Sequence, residues 1–265
     1  MSLSRPRRVC MFCGGTPLSK EHLVPVWISK AISKWTPTGA NREYRTSKSL
    51  WTGQRRDTTS SREFSQKARC VCEACNNVWM SQVEEAAKPF LEPMIWGEEI
   101  ELDPDAQRAI ALWAALHAVV WERAHPPIGT TLPPEWLAHL HQTRSLPASW
   151  RVWLGGFTGR PDFAYSTVQI RDPIAMPRRE DERPSGVHGS VTTIILGELV
   201  IKVLAVDRQP FRDPADEALL SVWPPTEPAF MWPPARVWTG ESVEHLFGLW
   251  LGGENQLGTI LKGMN

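Results

Sequence analysis

Two Cys-x-x-Cys pairs constrain this chain more than any other feature of its sequence. The first pair is Cys10 and Cys13, in CMFCGGTPLSKEH, and the second is Cys72 and Cys75, in CVCEACNNVWMSQVE. Four thiolates in two such pairs are the ligand set of a closed tetrahedral Zn²⁺ site. The spacing therefore predicts a structural zinc that holds together two segments far apart in the chain.

The residues that follow each pair favour the same interpretation. Gly14 and Gly15 allow a tight turn after the first pair, in which backbone N–H groups point at the sulfurs, as in a zinc knuckle. After the second pair, apolar residues recur at helical spacing, at Trp79, Val83, Ala87 and Leu91. We therefore expect the second pair to lie at a helix N-terminus, whose positive end favours thiolate over thiol.

The alternative is that the cysteines are buried small side chains or form disulfides. The N-terminus, MSLSRPRRV, is basic and no apolar run follows it, so we expect a reducing, cytoplasmic compartment without disulfides. A fifth cysteine, Cys70, could replace Cys72 as a ligand. The spacing to Cys75 favours Cys72.

The order of the motifs resembles that of the zinc-stapled HNH (His-Me finger) endonucleases. A Cys-x-x-Cys pair is followed by KEHLVPVW and then by Cys-x-x-Cys-Asn, over roughly residues 8–95. The resemblance implies a treble-clef ββα-metal fold in which Glu21-His22 ends a strand, His22 is the general base, and Glu21 and Asn76 help hold a divalent cation. The sequence departs from the family twice: the middle Asn of the motif has no clear equivalent, and Asn76 replaces the final metal-binding His.

Hydrolysis of a phosphodiester needs an activated water and a Lewis acid, and a zinc enclosed by four cysteines has no open position for either. Glu21 and Asn76 offer hard oxygen ligands that suit Mg²⁺ or Mn²⁺. The imidazole of His22 titrates near neutrality and suits the base. Asn77 and Glu84 are further candidates. A zinc-stapled module without activity, which binds nucleic acid or a protein, is the alternative function.

Charge is divided unevenly along a chain whose formal net charge is zero. Residues 1–70 contain 14 Lys or Arg and 4 Asp or Glu, a net charge of +10, and residues 71–265 carry −10. A basic segment of this kind predicts contact with a polyanion, here DNA, although attraction between the two parts of the fold would also explain it. The candidate contacts lie in a polar insertion at residues 36–69, interpreted as a loop or hairpin: Arg42, Arg45, Lys48, Arg55 and Arg56.

The rest of the chain predicts an α+β fold. Asp103-Pro104 is a good start for a long core helix with an apolar stripe, on which we expect His117 to be packed and hydrogen-bonded instead of a ligand. From Trp150 onward, alternating segments predict three or four mainly antiparallel strands, the last two forming a hairpin about Gly197-Glu198. The helix GESVEHLFGLWLGG follows them.

These patterns predict two domains, a treble-clef zinc domain at residues 1–100 and an α+β domain of unknown role at residues 101–265. The second domain carries no recognised catalytic motif. Formation of a homodimer and binding of a protein partner are both open interpretations of its role. The longest apolar run, 110–121, is interrupted by His117 and is shorter than the roughly 18 residues that cross a bilayer. We therefore expect no membrane insertion.

Overall fold

The computed structural model describes residues 9–33, 44–50, 55–61, 66–124, 132–158, 163–171, 188–207 and 219–239. This part of the chain contains both helices and mainly antiparallel strands, so the α+β class is confirmed. The segment GESVEHLFGLWLGG lies outside the described residues.

The long helix α3, Pro104–Ala124, forms the centre of the structure. It begins where the sequence predicts, because Asp103 Oδ1 accepts the backbone N–H of Ala106 at 2.7 Å and Pro104 supplies a preset first-turn φ. Its apolar stripe is buried as expected, including Ile110 and Trp113. The stripe packs against both the neighbouring helix and the sheet.

A mainly antiparallel sheet covers one side of α3. Its strands are β2, Tyr44–Leu50; β3, Arg55–Ser61; β6, Arg151–Thr158; β7, Phe163–Arg171; β8, His188–Leu196; β9, Leu199–Val206; β10, Leu220–Trp223; and β12, Val237–Thr239. The spatial order is β10-β6-β9-β8-β7-β2-β3, and β12 pairs with β6. The predicted β8–β9 hairpin is confirmed, with Gly197 in the left-handed region at φ 59°.

Strand β9 is buried on both faces of this sheet. In β9, Ile201, Val203 and Ala205 belong to the same apolar cluster as α3, whereas Val200 and Leu204 belong to two smaller clusters. This alternation follows from the two-residue period of a strand.

Smaller elements complete the N-terminal part. Strand β1, Glu21–His22, pairs antiparallel with β4, Lys67–Ala68, and helix α1, Val26–Ser33, follows β1. Beyond β4 come helix α2, Ser81–Ile95, and strand β5, Ile100–Leu102, which pairs with β11, Phe230–Trp232. Helix α4, Pro134–Thr143, lies between α3 and β6.

The basic insertion contains a hairpin, one of the two forms expected. Strands β2 and β3 pair antiparallel, and β2 also pairs parallel with β7, from Arg45 opposite Ala164 to Leu50 opposite Gln169. The sequence does not predict this second pairing, because YRTSKSL and RRDTTSS have no apolar alternation to mark a sheet strand. Backbone hydrogen bonds between β2 and β7 join the hairpin to the sheet.

One apolar cluster runs through the structure, from Cys10 and Phe12 to Val222 and Trp232. It includes residues on both sides of position 100, and the two-domain division stays a prediction. Among the described residues, no helix has the length and apolar character to cross a membrane.

Candidate metal centre and the acid cluster beside it

The two cysteine segments are joined by backbone contacts. Met11 N donates to Cys70 O and Ser19 N donates to Val71 O, each at 2.9 Å, and Leu18 forms a bridge with Cys72. These bonds place the first pair directly against the second. The two cysteine segments therefore meet, as their spacing predicts.

The four thiols of Cys10, Cys13, Cys72 and Cys75 have Sγ atoms within 4.8 Å of one another, and Cys13 Sγ lies 3.5 Å from Cys72 Sγ. Four sulfurs at about 2.3 Å from one zinc in a tetrahedron would be about 3.8 Å apart. The cluster therefore has the size of a four-cysteine metal site.

Backbone N–H groups face the sulfurs, as the glycines predict. Gly15 N donates to Cys13 Sγ at 3.3 Å, and Cys75 N donates to Cys72 Sγ at 3.4 Å. Gly14 has φ 72°, which favours glycine, and a Cβ on Gly15 would lie 3.2 Å from Cys13 Sγ. The tight turn thus allows the close approach of backbone to sulfur.

The acidity of the thiols reflects their crowding. Burial raises the pKa of Cys75, and the thiols of Cys13 and Cys72 raise it further. In Cys10, burial acts in the same direction, but backbone N–H groups outweigh it and lower the pKa to about 7. A bound cation would stabilise all four thiolates together. The four cysteines could accordingly hold a metal ion such as zinc.

The fifth cysteine lies apart from this cluster. Cys70 is buried, and burial together with the nearby Glu21 carboxylate raises its pKa to about 12. Its sulfur is not among the four ligand atoms that lie within 4.8 Å of one another. This agrees with the choice of Cys72 over Cys70.

The chain after the second pair is helical, but its first turns are wider than those of an α-helix. Cys75–Met80 is a π-helical segment that leads directly into α2. Trp79 is buried there, with its ring 4.9 Å from that of Phe12 and with the Arg144 guanidinium 4.5 Å above it. The predicted apolar positions Val83, Ala87 and Leu91 are also buried.

A carboxylate on β1 and one on α2 lie close enough for the charge of the second to act on the first. Burial raises the pKa of Glu21, on β1, to about 7, and the charge of Glu84 adds to this effect while the Asn76 side chain opposes it. The structure thus brings together Glu21 and Asn76, which the family resemblance pairs. It also adds Glu84, which the sequence ranks below them.

Burial likewise raises the pKa of Glu84, on α2, to about 7, although Lys88 and the Trp27 indole oppose it. Glu84 Oε1 also lies 3.8 Å from His117 Nε2. His117 is buried on α3, packs 4.2 Å from the Trp113 ring, and has a pKa lowered to about 4 by burial. The expectation of a packed histidine is confirmed, whereas its proximity to Glu84 is not foreseen in the sequence.

The candidate base, His22, follows Glu21 on β1, and its Cα is paired with that of Lys67. Burial lowers the pKa of His22, and the positive charge of Lys67 lowers it further. The imidazole is therefore neutral at pH 7 and able to accept a proton. Its catalytic role stays a prediction.

The candidate DNA contacts are placed only in part. Arg42 lies outside the described residues, Arg45 and Lys48 are on β2, and Arg55 and Arg56 are on β3. The register sets Lys48 opposite Asp57 and Arg55 opposite Ser49. The sequence prediction that they bind DNA stays a prediction.

Comparison with protein-family models, with curated proteins and with solved structures finds no match to this chain.

Proposed function

We propose that this chain is a zinc-stapled, metal-dependent endonuclease of the HNH type that hydrolyses phosphodiester bonds in DNA. The observation that supports it best is the association of Glu21 with Glu84 and with Asn76, the residue that directly follows Cys75 of the four-cysteine cluster. A purely structural zinc site has no use for partly buried carboxylates at this place, because burying them costs free energy.

Within this proposal, Zn²⁺ occupies the four cysteines and has a structural role only. It fixes β1 against the π-helical segment, so that Glu21 and Asn76 meet. In the same proposal, the paired strands β1 and β4 and the helix after them are assigned to the ββα unit of a treble clef.

In the proposed reaction, His22 takes a proton from the attacking water, and Glu21 and Asn76 would hold Mg²⁺ or Mn²⁺ through oxygen atoms. When bound there, the cation would supply Lewis-acid stabilisation of the charge that develops on the phosphate and on the leaving oxygen. The basic residues of β2 and β3 bind the DNA backbone.

The experiment is plasmid cleavage with and without added Mn²⁺, comparing the wild type with His22→Ala. His139→Ala, on α4, is the control. We expect cleavage that requires Mn²⁺ and a rate lower by about 10² to 10⁴ in His22→Ala, the usual contribution of a positioned base. Zinc content and Tm should be nearly unchanged.

Two results would contradict the proposal. If the wild type binds DNA but never cleaves it, the chain is a zinc-stapled binding module. If His22→Ala keeps its zinc and its full metal-dependent rate, the nuclease centre lies elsewhere in the protein.

A further inference from the structure

The outward face of the β1–β4 ribbon places the candidate base among positive charges. His22 is paired with Lys67, and Glu21 is paired with Ala68. Residues directly opposite each other in a ladder share a face, and successive residues along a strand alternate between the two faces. Lys67 therefore lies beside His22 on one face, whereas Glu21 lies on the other.

Burial shows that the face of His22 and Lys67 is the outward one. Lys67 and Arg69 are exposed, whereas Ala68, between them, is buried. Lys20 is also exposed and stands two positions before His22, so the same alternation places it on this face. Four side chains accordingly form what we call the cationic face: Lys20, His22, Lys67 and Arg69.

Backbone hydrogen bonds hold the two sides of this ribbon together beyond the β1–β4 pairs. Ser19 N donates to Val71 O at 2.9 Å, and Leu23 N donates to Gln66 O at 3.0 Å. Side chains that stand on such a framework are positioned more precisely than those of a loop. The cationic face is therefore preorganised for a ligand.

The positive charges of this face are not neutralised within the protein. In the ranges that the structure describes, none of Lys20, Lys67 and Arg69 forms an ion pair. The charge of Lys67 also disfavours a positive charge on His22. Because like charges on neighbouring strands repel each other, a bound anion would stabilise the cationic face.

We propose that the cationic face binds phosphates of the DNA backbone and that Lys67 holds the phosphate nearest to His22. The inference rests on the proposed function in one respect, since it identifies that phosphate with the one that is hydrolysed. Side chains directly opposite each other have Cβ atoms about 4.5–5.5 Å apart, so the Lys67 ammonium and the His22 imidazole can reach one phosphate group. Arg69 stands about 7 Å further along the strand and can reach another.

The cationic face is separate from the DNA contacts that the sequence predicts. Those contacts end at Arg56, on β3, which belongs to the large sheet, whereas β1 and β4 form a two-stranded sheet of their own. The contact with the reacting phosphate would thus be made at the ribbon that carries His22. The β2–β3 hairpin would bind other phosphates.

The test is the salt dependence of binding to a short, fluorescently labelled DNA duplex. The full, zinc-loaded chain is used without added Mg²⁺ or Mn²⁺, so that binding is measured without hydrolysis. Each phosphate neutralised contributes about 0.9 to the slope of log affinity against log salt, and Lys67→Gln should therefore lower the slope by about one unit. Lys67→Arg keeps the charge and should keep the wild-type slope.

Arg108→Gln is the matched control, since it removes one exposed positive charge away from the cationic face. Arg108 lies about 20 Å along α3 from Trp121, whose indole N–H donates to the Leu23 carbonyl at the end of the ribbon. We expect the slope of this variant to equal that of the wild type.

A second readout tests the place of Lys67 beside His22. In plasmid cleavage with Mn²⁺ at saturating DNA, Lys67→Gln should lower kcat about 10²-fold, the cost of misplacing a reacting group by about 1 Å. Lys67→Arg should recover most of the rate. An unchanged kcat in Lys67→Gln would contradict the assignment of Lys67 to the phosphate nearest to His22.

The inference fails if Lys67→Gln keeps the wild-type slope, or if Arg108→Gln lowers the slope equally, because net charge alone would then explain binding. It also fails if the wild type binds vesicles that contain phosphatidylserine but binds no DNA, since the cationic face would then fit an anionic lipid surface. If Lys67→Gln is unfolded by circular dichroism, Lys67→Thr is measured in its place with the same expectations.

These outcomes are separable from those of the proposed function. A chain that binds DNA through Lys67 but does not cleave it retains the phosphate site and loses the nuclease. A chain that cleaves DNA with Mn²⁺ and is unaffected by Lys67→Gln in both rate and slope retains the nuclease and loses this site.

Discussion

The indole N–H of Trp121 donates a 2.9 Å hydrogen bond to the backbone carbonyl of Leu23, across 98 positions of the chain. Leu23 follows the Glu21-His22 strand, and His117, one turn before Trp121, interacts with the same backbone. Helix α3 therefore holds the end of the strand that carries the candidate base. Part of the proposed active site is positioned by a helix that contributes none of the residues predicted from the motif.

The Trp121 hydrogen bond should be measurable as stability. Trp121→Phe removes the donor and leaves a ring near Tyr165, whose ring lies 4.3 Å away. Trp113→Phe is a matched control, since the indole N–H of Trp113 has no hydrogen-bond partner among the described residues. In urea unfolding, Trp121→Phe should cost about 1 kcal/mol more than the control. Equal losses would mean that the bond contributes nothing net.

The zinc prediction is tested by replacing a cysteine of the four-cysteine cluster and, as a control, the cysteine outside it. We expect about one equivalent of zinc in the wild type, loss of the metal and unfolding of the N-terminal region in Cys72→Ser, and full zinc in Cys70→Ser. Structural zinc supplies about 10 kcal/mol or more of folding free energy at such sites. Less than half an equivalent in well-folded wild type, measured by elemental analysis, would disprove the metal assignment.

The pH dependence of stability should change when Glu84 is removed. Its pKa is raised from 4.5 to about 7 in the folded state, so the folded state binds more protons than the unfolded one between these values. The stability this provides is complete below pH 4.5 and is lost as the pH rises through 7. In buffer free of divalent cations, Glu84→Gln should thus gain stability relative to wild type from pH 5 to pH 8, on the order of 1 kcal/mol.

Glu84→Asp, which keeps an ionisable carboxyl group at this position, should follow the wild-type trend in the same urea titrations. A constant difference between Glu84→Gln and wild type would mean that Glu84 ionises as it does in water.

DNA affinity should depend on salt through the β2–β3 hairpin. Changing Arg55 and Arg56 together to Ala should lower the slope of log affinity against log salt by about one to two units, roughly one for each phosphate that the variant no longer neutralises. Arg108→Ala, on exposed α3 surface, is the control. An unchanged slope in the double variant would leave these arginines without a role in binding.

Local rules in the sequence account for much of the fold. The Asp103 cap and an apolar stripe define α3, a glycine with positive φ marks the β8–β9 turn, and cysteine spacing brings the metal cluster together. The helix cap and the turn glycine lie within a few residues of the structure that they specify. The cysteine pairs differ, because a shared metal ion can join ligands from segments that are far apart in the chain.

The features that the sequence does not reveal depend on how elements pack. The contact of Glu84 with His117 requires α2 to lie against α3, and the π-helical segment has no marker in CNNVWM. The pairing of β2 with β7 involves a polar strand, β2, and an alternation of apolar residues therefore does not predict it. Such contacts are decided by tertiary structure and not by local preference.

The parallel pairing of β2 with β7 has a consequence for synthesis. Ala164 stands 119 positions after Arg45, its partner, so on the ribosome β2 emerges long before the strand that completes it. Until then, the nascent hairpin presents an open edge to other chains. Its lysine, arginines and hydroxyl side chains are the composition that discourages such an edge from aggregating. The charge that we assign to DNA binding would therefore also protect the chain while it is being made.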